Sequence, residues 1–191
     1  MNEREWIERL QRGELRALEV LYQRYKDQVY RVALAITRDD KLAEDILQEC
    51  FLRLYRSARL LDPQRPLVPW LYRMTVNLTY DNLDRERHTL KAGDLTEWFS
   101  TLAGSFPGPE VSAEHTEQAR WVREAIRALP HTHRSVVVLF YLENLSIEDI
   151  AGILNLPAGT VKSRLYTARQ TLREVLMQQQ RLLPQVAYEY T

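Results

Sequence analysis

Leu18, Tyr22, Tyr25, Val29, Val32 and Ile36 follow one another at alternating steps of four and three. That spacing places them on one stripe of an α-helix and predicts a long helix over 14–37. Leu42, Ile46, Cys50, Leu54 and Ala58 repeat every four residues and predict a second helix that begins at Asp39 or Asp40. The pattern then breaks at LDPQRPLVPW, where Pro63, Pro66 and Pro69 recur every third residue. Proline lacks an N–H and restricts its predecessor, so this stretch is expected to run extended rather than helical. Pro69 suits the first turn of a third helix, in which its missing donor costs nothing. Trp70, Leu71, Met74 and Leu78 give that helix its inward face, and it is expected to end near Arg87. A short helix near 6–10 completes an N-terminal bundle.

Between 90 and 112 the periodicity loosens, and three of the six glycines fall there together with Pro107 and Pro109. The stretch reads as a linker. Within it, Leu95, Trp98, Phe99 and Leu102 fit a short amphipathic helix with Asp94 and Glu97 placed as a capping box. Periodicity returns with Trp121, Ala125, Ile126 and Leu129, closed by Pro130, and then with Val136, Val137, Phe140 and Tyr141. No alternation of strand type stands out anywhere. The expected fold is all-α, with two small helical domains joined by a flexible linker and a C-terminal helix-turn-helix. The expected divisions are 1–89, a linker 90–112, a four-helix domain 113–178, and a tail 179–191.

The last helix pair carries the clearest signal. Ser146 with Asp149 three residues on forms a capping box, a device that contributes about 1 kcal/mol. Ile147, Ile150, Ala151 and Leu154 supply a buried stripe, and Asn155 tolerates the left-handed backbone of a sharp turn. Pro157 and Gly159 restart the chain, and Val161, Leu165, Ala168 and Leu172 line the next helix's buried side. A short helix, a tight turn and a longer helix define a helix-turn-helix. Its outward face carries Lys162, Tyr166, Arg169 and Arg173, with Ser163, Thr167 and Gln170 alongside. Residues near the start of such a helix reach base edges in the major groove, and cations farther along reach phosphates. Thr160, Lys162, Ser163 and Tyr166 are therefore candidate base readers, and Arg164, Arg169 and Arg173 candidate phosphate contacts.

Charge changes this picture locally. The formal net charge is zero, so no global field points to nucleic acid. Yet residues 94–129 hold three cations against six anions, whereas 156–181 hold five cations against one. A neutral total conceals a basic patch near the C-terminus. The lone cysteine, Cys50, excludes an internal disulfide, and the four histidines show no zinc spacing. No phosphate loop, nucleophile elbow or metal motif is present, so no enzyme activity, metal or cofactor is expected. The charged start MNEREWIERL is no signal peptide, and no stretch reaches the roughly 18 apolar residues of a membrane span. A cytoplasmic protein without membrane insertion is the expectation.

Residues 129–174, LPHTHRSVVVLFYLENLSIEDIAGILNLPAGTVKSRLYTARQTLRE, closely resemble the promoter-reading C-terminal domain of extracytoplasmic-function (ECF) sigma factors. LAEDILQECFLRLYR at 42–56 resembles the helix by which that family grips the polymerase clamp, and PWLYRMTVNLTYDNLDR at 69–85 resembles its −10 reading helix. The resemblance covers roughly 10–175, with three motifs in register. It implies a subunit that binds core RNA polymerase at the β′ clamp and β flap, recognises promoter DNA, and is held in check by an anti-sigma factor.

Asp40, Glu44, Asp45, Gln48 and Glu49 stand off the apolar stripe of the second helix, and the four carboxylates among them make an acidic patch that suits a basic protein surface and repels DNA. By resemblance Glu44, Asp45, Gln48 and Glu49 contact the polymerase, and Phe51 adds an apolar contact. The proline-spaced loop would cradle an unstacked base of the −10 element, with Leu61 and Arg65 on it. Asn77 matches a strand-contacting position of the family, and Arg73, Tyr80 and Asp81 share its face. Three positions depart from the family pattern. Leu61 replaces a common aromatic, Thr75 a small alanine, and Thr167 a base-contacting arginine. The 23 residues of 90–112 could span roughly 75–80 Å when extended. Promoter elements one and a half duplex turns apart are separated by about 50–55 Å. The rival expectation is a free-standing regulator that dimerises on operator DNA.

Overall fold

The computed structural model describes residues 2–85, 125–126 and 128–181, with side chains omitted at 84–85 and 178–181. The expected linker with its helix at 95–102, Trp121 and the tail beyond 181 lie outside the described residues, as do both domain divisions drawn around the linker. The described residues contain no strand and seven α-helices, α1 (Glu3–Gln11), α2 (Leu15–Thr37), α3 (Asp40–Arg56), α4 (Leu67–Arg85), α5 (His131–Val137), α6 (Ile147–Leu154) and α7 (Ala158–Arg181), with a 3-10 turn at Ala58–Leu60 and a π-helical turn at Val138–Leu142. Among the described residues no helix is long and apolar enough to cross a membrane.

Helices α1–α4 form the N-terminal bundle. Asn2 caps α1 by accepting from the Glu5 N–H at 2.9 Å, and Asp39 caps α3 by accepting from the Leu42 N–H at 3.0 Å. Between α2 and α3 the chain reverses at Arg38, a left-handed residue with φ 67°. Glu3 joins three elements. Its carboxylate accepts from the Leu67 N–H at 3.0 Å, satisfying an orphan donor at the start of α4, and from the Tyr25 hydroxyl on α2. Ile7, Leu10, Leu21, Tyr22, Ile46, Cys50, Phe51, Leu54, Leu71 and Leu78 make the core. Burying each large aliphatic side chain contributes about 1.5–3 kcal/mol.

The proline-spaced loop differs from expectation. It does not run extended but turns over 62–65, where the Arg65 N–H donates to the Asp62 carbonyl at 3.0 Å and the Gln64 N–H to its side chain at 3.0 Å. An Asp that accepts from the backbone two residues on favours such a turn over PPII chain. Pro69 is the third residue of α4 and so still lies within its first turn.

In the C-terminal unit the Ser146–Asp149 capping box forms, with the Asp149 N–H donating to Ser146 Oγ at 3.0 Å. Asn155 is left-handed at φ 52°, ψ 49°. Val161, Leu165 and Ala168 are buried, as their spacing predicts. The helix expected through Tyr141 instead changes at Val138 into a π-helical turn, Val138–Leu142. The Glu143 N–H reaches the Val138 carbonyl at 3.2 Å, five residues back. One extra residue in that turn rotates the later side chains about the helix axis. Val138 and Leu139 are buried, whereas Tyr141, expected inside, is 53% exposed.

The two units are packed on each other. Val32 and Ile36 of α2 and Tyr72 and Val76 of α4 share a second core with Val136, Val137, Leu139, Ile150 and Ile153. The sequence places Val32 and Ile36 on a buried stripe, and the structure shows that the covering partner is the C-terminal unit.

Candidate nucleic-acid and polymerase interfaces

Helix α7 begins beside the Asn155 turn, so the capped α6 and the left-handed residue together set the direction in which its outer face points. Lys162, Ser163, Tyr166, Thr167, Arg169 and Arg173 are exposed along one side of it. Thr160 is half-buried near its start. Tyr166, 66% exposed, is a large aromatic presented to solvent with no core role. Arg169 does not swing free. Its Nε donates to the Tyr141 hydroxyl at 2.7 Å, and its guanidinium lies 5.6 Å from the centroids of both Phe140 and Tyr141. The π-helical turn thus delivers two rings beneath a candidate phosphate-binding cation. Spacing alone did not reveal this, because an uninterrupted α-helix would turn Tyr141 inward.

Arg164 is half-buried and separate from that ridge. Its charge acts on His133, whose pKa is lowered first by burial and then by this guanidinium. It also faces Tyr80 of the N-terminal unit, whose hydroxyl is pushed up by burial and partly drawn back by Ser135 and Arg164.

On α3 the carboxylates of Glu44 and Asp45 are exposed, and Gln48 and Glu49 are half-exposed. Glu49 accepts from Arg53 Nε at 2.8 Å, an i,i+4 pair. Phe51 requires a correction. It is fully buried, with its ring 4.9 Å from that of Tyr22 in an edge-on arrangement at 74°. An apolar surface contact is therefore not available from Phe51. Burial first, then the charges of Asp27 on α2 and Glu44 on α3, push the Tyr22 hydroxyl up to about 12.

The third group gathers around the loop and α4. Leu61, half-buried, anchors the loop by accepting at its carbonyl from Gln11 Nε2 at 2.9 Å. The side chain the loop displays is its neighbour Leu60, 87% exposed, which residue spacing does not single out. Arg65 is exposed and pairs with Asp62 at 3.3 Å. Arg73, Asn77 and Asp81 are exposed on one face of α4. Tyr80 shares their side but is engaged: its hydroxyl bonds Ser135 Oγ, and its ring meets His131 edge-on at 5.0 Å. Thr75, the position that departs from alanine, is fully buried and donates to the Leu71 carbonyl at 2.8 Å. Trp70 is half-buried against the bundle core.

The N-terminal bundle and the helix-turn-helix unit each match a known family, in that order along the chain. The family described as Sigma-70 region 2 matches residues 21–89, and that described as Sigma-70 region 4 matches 119–172. The ECF RNA polymerase sigma factor SigW of Bacillus subtilis is 31% identical over 176 residues, which cover 89% of this chain and 94% of that protein. The RNA polymerase sigma-H factor of Pseudomonas aeruginosa is 30% identical, covering 89% and 91%. In fold, the chain is similar to the sigma factor RpoE of Bartonella quintana, solved in complex with the anti-sigma factor NepR. That likeness has a TM-score of 0.63 at 20% identity over 83% of this chain and 96% of that one. The chain belongs to the ECF family of RNA polymerase sigma factors.

Proposed function

We propose that the acidic face of α3 seats this sigma factor on a basic surface of core polymerase, with Glu44, Asp45, Gln48 and Glu49 as the contacts. The α7 ridge then docks in the major groove of the −35 element. Thr160, Lys162, Ser163, Tyr166 and Thr167 read base edges there, and Arg169 and Arg173 hold phosphates. Arg164, half-buried and off the ridge, adds a further phosphate contact. Loop 61–66 and the Arg73–Asn77–Asp81 face of α4 take the displaced −10 strand, with Tyr80 joining them once uncovered. Captured bases lower the energy of the melted state by about 1–3 kcal/mol each if they stack as in other single-strand binders. Strand opening by capture needs no catalytic side chain.

The observation that carries this reading is the exposure, in one chain, of a carboxylate face on α3 and a cationic ridge on α7. Their opposite signs suit opposite partners. An anti-sigma partner is part of the proposal, supported by the complex in which the Bartonella relative was solved. The test is reconstituted transcription. Purified chain plus core polymerase should start transcripts from a cognate promoter, and core alone should not. A free-standing regulator would instead bind duplex DNA tightly yet fail to associate with core.

A further inference from the structure

The π-helical turn Val138–Leu142 swings Tyr141 out of the core and leaves it 53% exposed. Such turns within helices are frequent at functional sites. Here the turn brings Tyr141 against Arg169, 28 residues on in the chain and exposed on the α7 ridge. Arg169 Nε donates to the Tyr141 hydroxyl at 2.7 Å, and the guanidinium lies 5.6 Å from the centroids of both Phe140 and Tyr141. The two rings meet edge-on, 4.9 Å apart at 79°. A hydrogen bond at Nε and two aromatic contacts hold in place a side chain that otherwise gives up much rotamer freedom when it binds. No ion pair among the described residues uses Arg169, so its charge is not spent within the fold.

The donors left over define a ligand. A guanidinium carries its N–H groups in a rigid planar fork, and a phenol oxygen that accepts one bond keeps its own proton to donate. With Nε bonded to the tyrosine oxygen, the N–H groups of Nη1 and Nη2 remain. One of them runs parallel to the Nε–H on the same edge of the fork. An oxygen accepting from it therefore sits beside the Tyr141 oxygen, at the ~2.5–3.0 Å of an O–H···O bond. That oxygen receives one bond from Arg169 and a second from the Tyr141 hydroxyl. The pair offers donors and positive charge, and the oxygens of a phosphate can fill both positions of such a fork. Position 169 also lies past the candidate base readers at 160–167, where cations of a reading helix meet the duplex backbone.

We infer that Tyr141 is a DNA contact: its hydroxyl and the Arg169 guanidinium clamp one backbone phosphate of the −35 duplex between them. This rests on the proposed sigma factor function and adds to it a contact from outside the helix-turn-helix. A phosphate gripped from α7 and from the π-helical turn ahead of α6 fixes the register of the reading helix without itself reading sequence.

Deleting one hydroxyl tests it on the full-length chain. Tyr141→Phe keeps the ring under Arg169 and removes the donor. The probe is a fluorescent duplex carrying the −35 element of a promoter that the holoenzyme transcribes, read by anisotropy across a salt series. Tyr141→Phe should weaken binding by about three- to tenfold, equally for favoured and disfavoured −35 sequences, with the salt slope unchanged. Arg169→Ala should weaken it by about tenfold or more and lower the salt slope by about one. Adding Tyr141→Phe to Arg169→Ala should then cost less than about twofold, because the hydroxyl has lost the group that aims it. Binding by Tyr141→Phe within about twofold of the parent overturns the clamp. Fully additive losses also overturn it, since the two side chains would then act apart, and so does a changed base preference, which would make Tyr141 a base reader. The hydroxyl lies at the surface, so parent and Tyr141→Phe should melt at the same temperature. A lowered melting temperature would make the binding loss a folding effect and counts against the clamp. A failed sigma factor reading looks different, because then the parent itself neither prefers this duplex nor starts transcripts with core polymerase.

Discussion

At the scale of single residues, Phe51 shows what spacing can and cannot assign. It lies four residues after Leu47 and three before Leu54, so it belongs to a buried stripe of α3, and the structure buries all three. The family resemblance implied a surface contact, but Phe51 lies two residues beyond Glu49, a rotation of about 200° around the helix. Phe51→Ala should therefore cost about 3–5 kcal/mol of stability in denaturant melts, by emptying space against Tyr22. Lys162 is the opposite case, exposed and predicted so from the sequence. If it makes a two-pronged base contact, Lys162→Ala should weaken −35 discrimination by about 1–3 kcal/mol in competition binding, and unchanged promoter preference would remove it from the readers. Tyr141 was legible only as an apolar position. Its place beneath Arg169 depends on a π-helical turn, which is a matter of hydrogen-bond register rather than residue type.

At the scale of elements, helix existence and faces were readable because amphipathic periodicity is strong, and caps were readable because Asp39, Ser146 and Asn155 each have a local chemical reason to be where they are. The turn at 62–65 was not, since prolines every third residue exclude helix without choosing between extended chain and turn. Two predictions belong here. Asp45→Lys on α3 should reduce association with core polymerase in co-elution while leaving −35 duplex affinity intact. Loss of both together would indicate misfolding. On α5, burial and Arg164 lower the His133 pKa. The unfolded chain then takes up a proton near pH 6.5 that the folded chain refuses. Stability is accordingly highest above that pH and falls as pH drops below it. Melting temperatures at pH 7.5 and 5.5 should show the decline, and His133→Gln should flatten it.

At the scale of the whole molecule, two helical units and a C-terminal helix-turn-helix were legible, but their mutual packing was not. Periodicity says that Val32, Ile36, Tyr72 and Val76 are covered. It does not say by what, and a second unit is as good a cover as the bundle's own core. The same holds for Glu143, an ordinary acid in sequence whose partners, Arg31 and Tyr72, lie 112 and 71 residues away. The candidate surfaces themselves survive the packing: the α3 carboxylates and the α7 ridge remain at the surface while the cleft lined by Leu61, Arg65 and Arg73 is shared with α6.

Site-specific photocrosslinking within one initiation complex probes both surfaces at once, with the crosslinker placed in turn at position 45 and at position 166. Position 45 should attach to a polymerase subunit and never to DNA, and position 166 should attach to promoter duplex upstream of the melted region. Attachment of position 45 to DNA, or of position 166 to polymerase alone, would contradict the division of labour between the two surfaces.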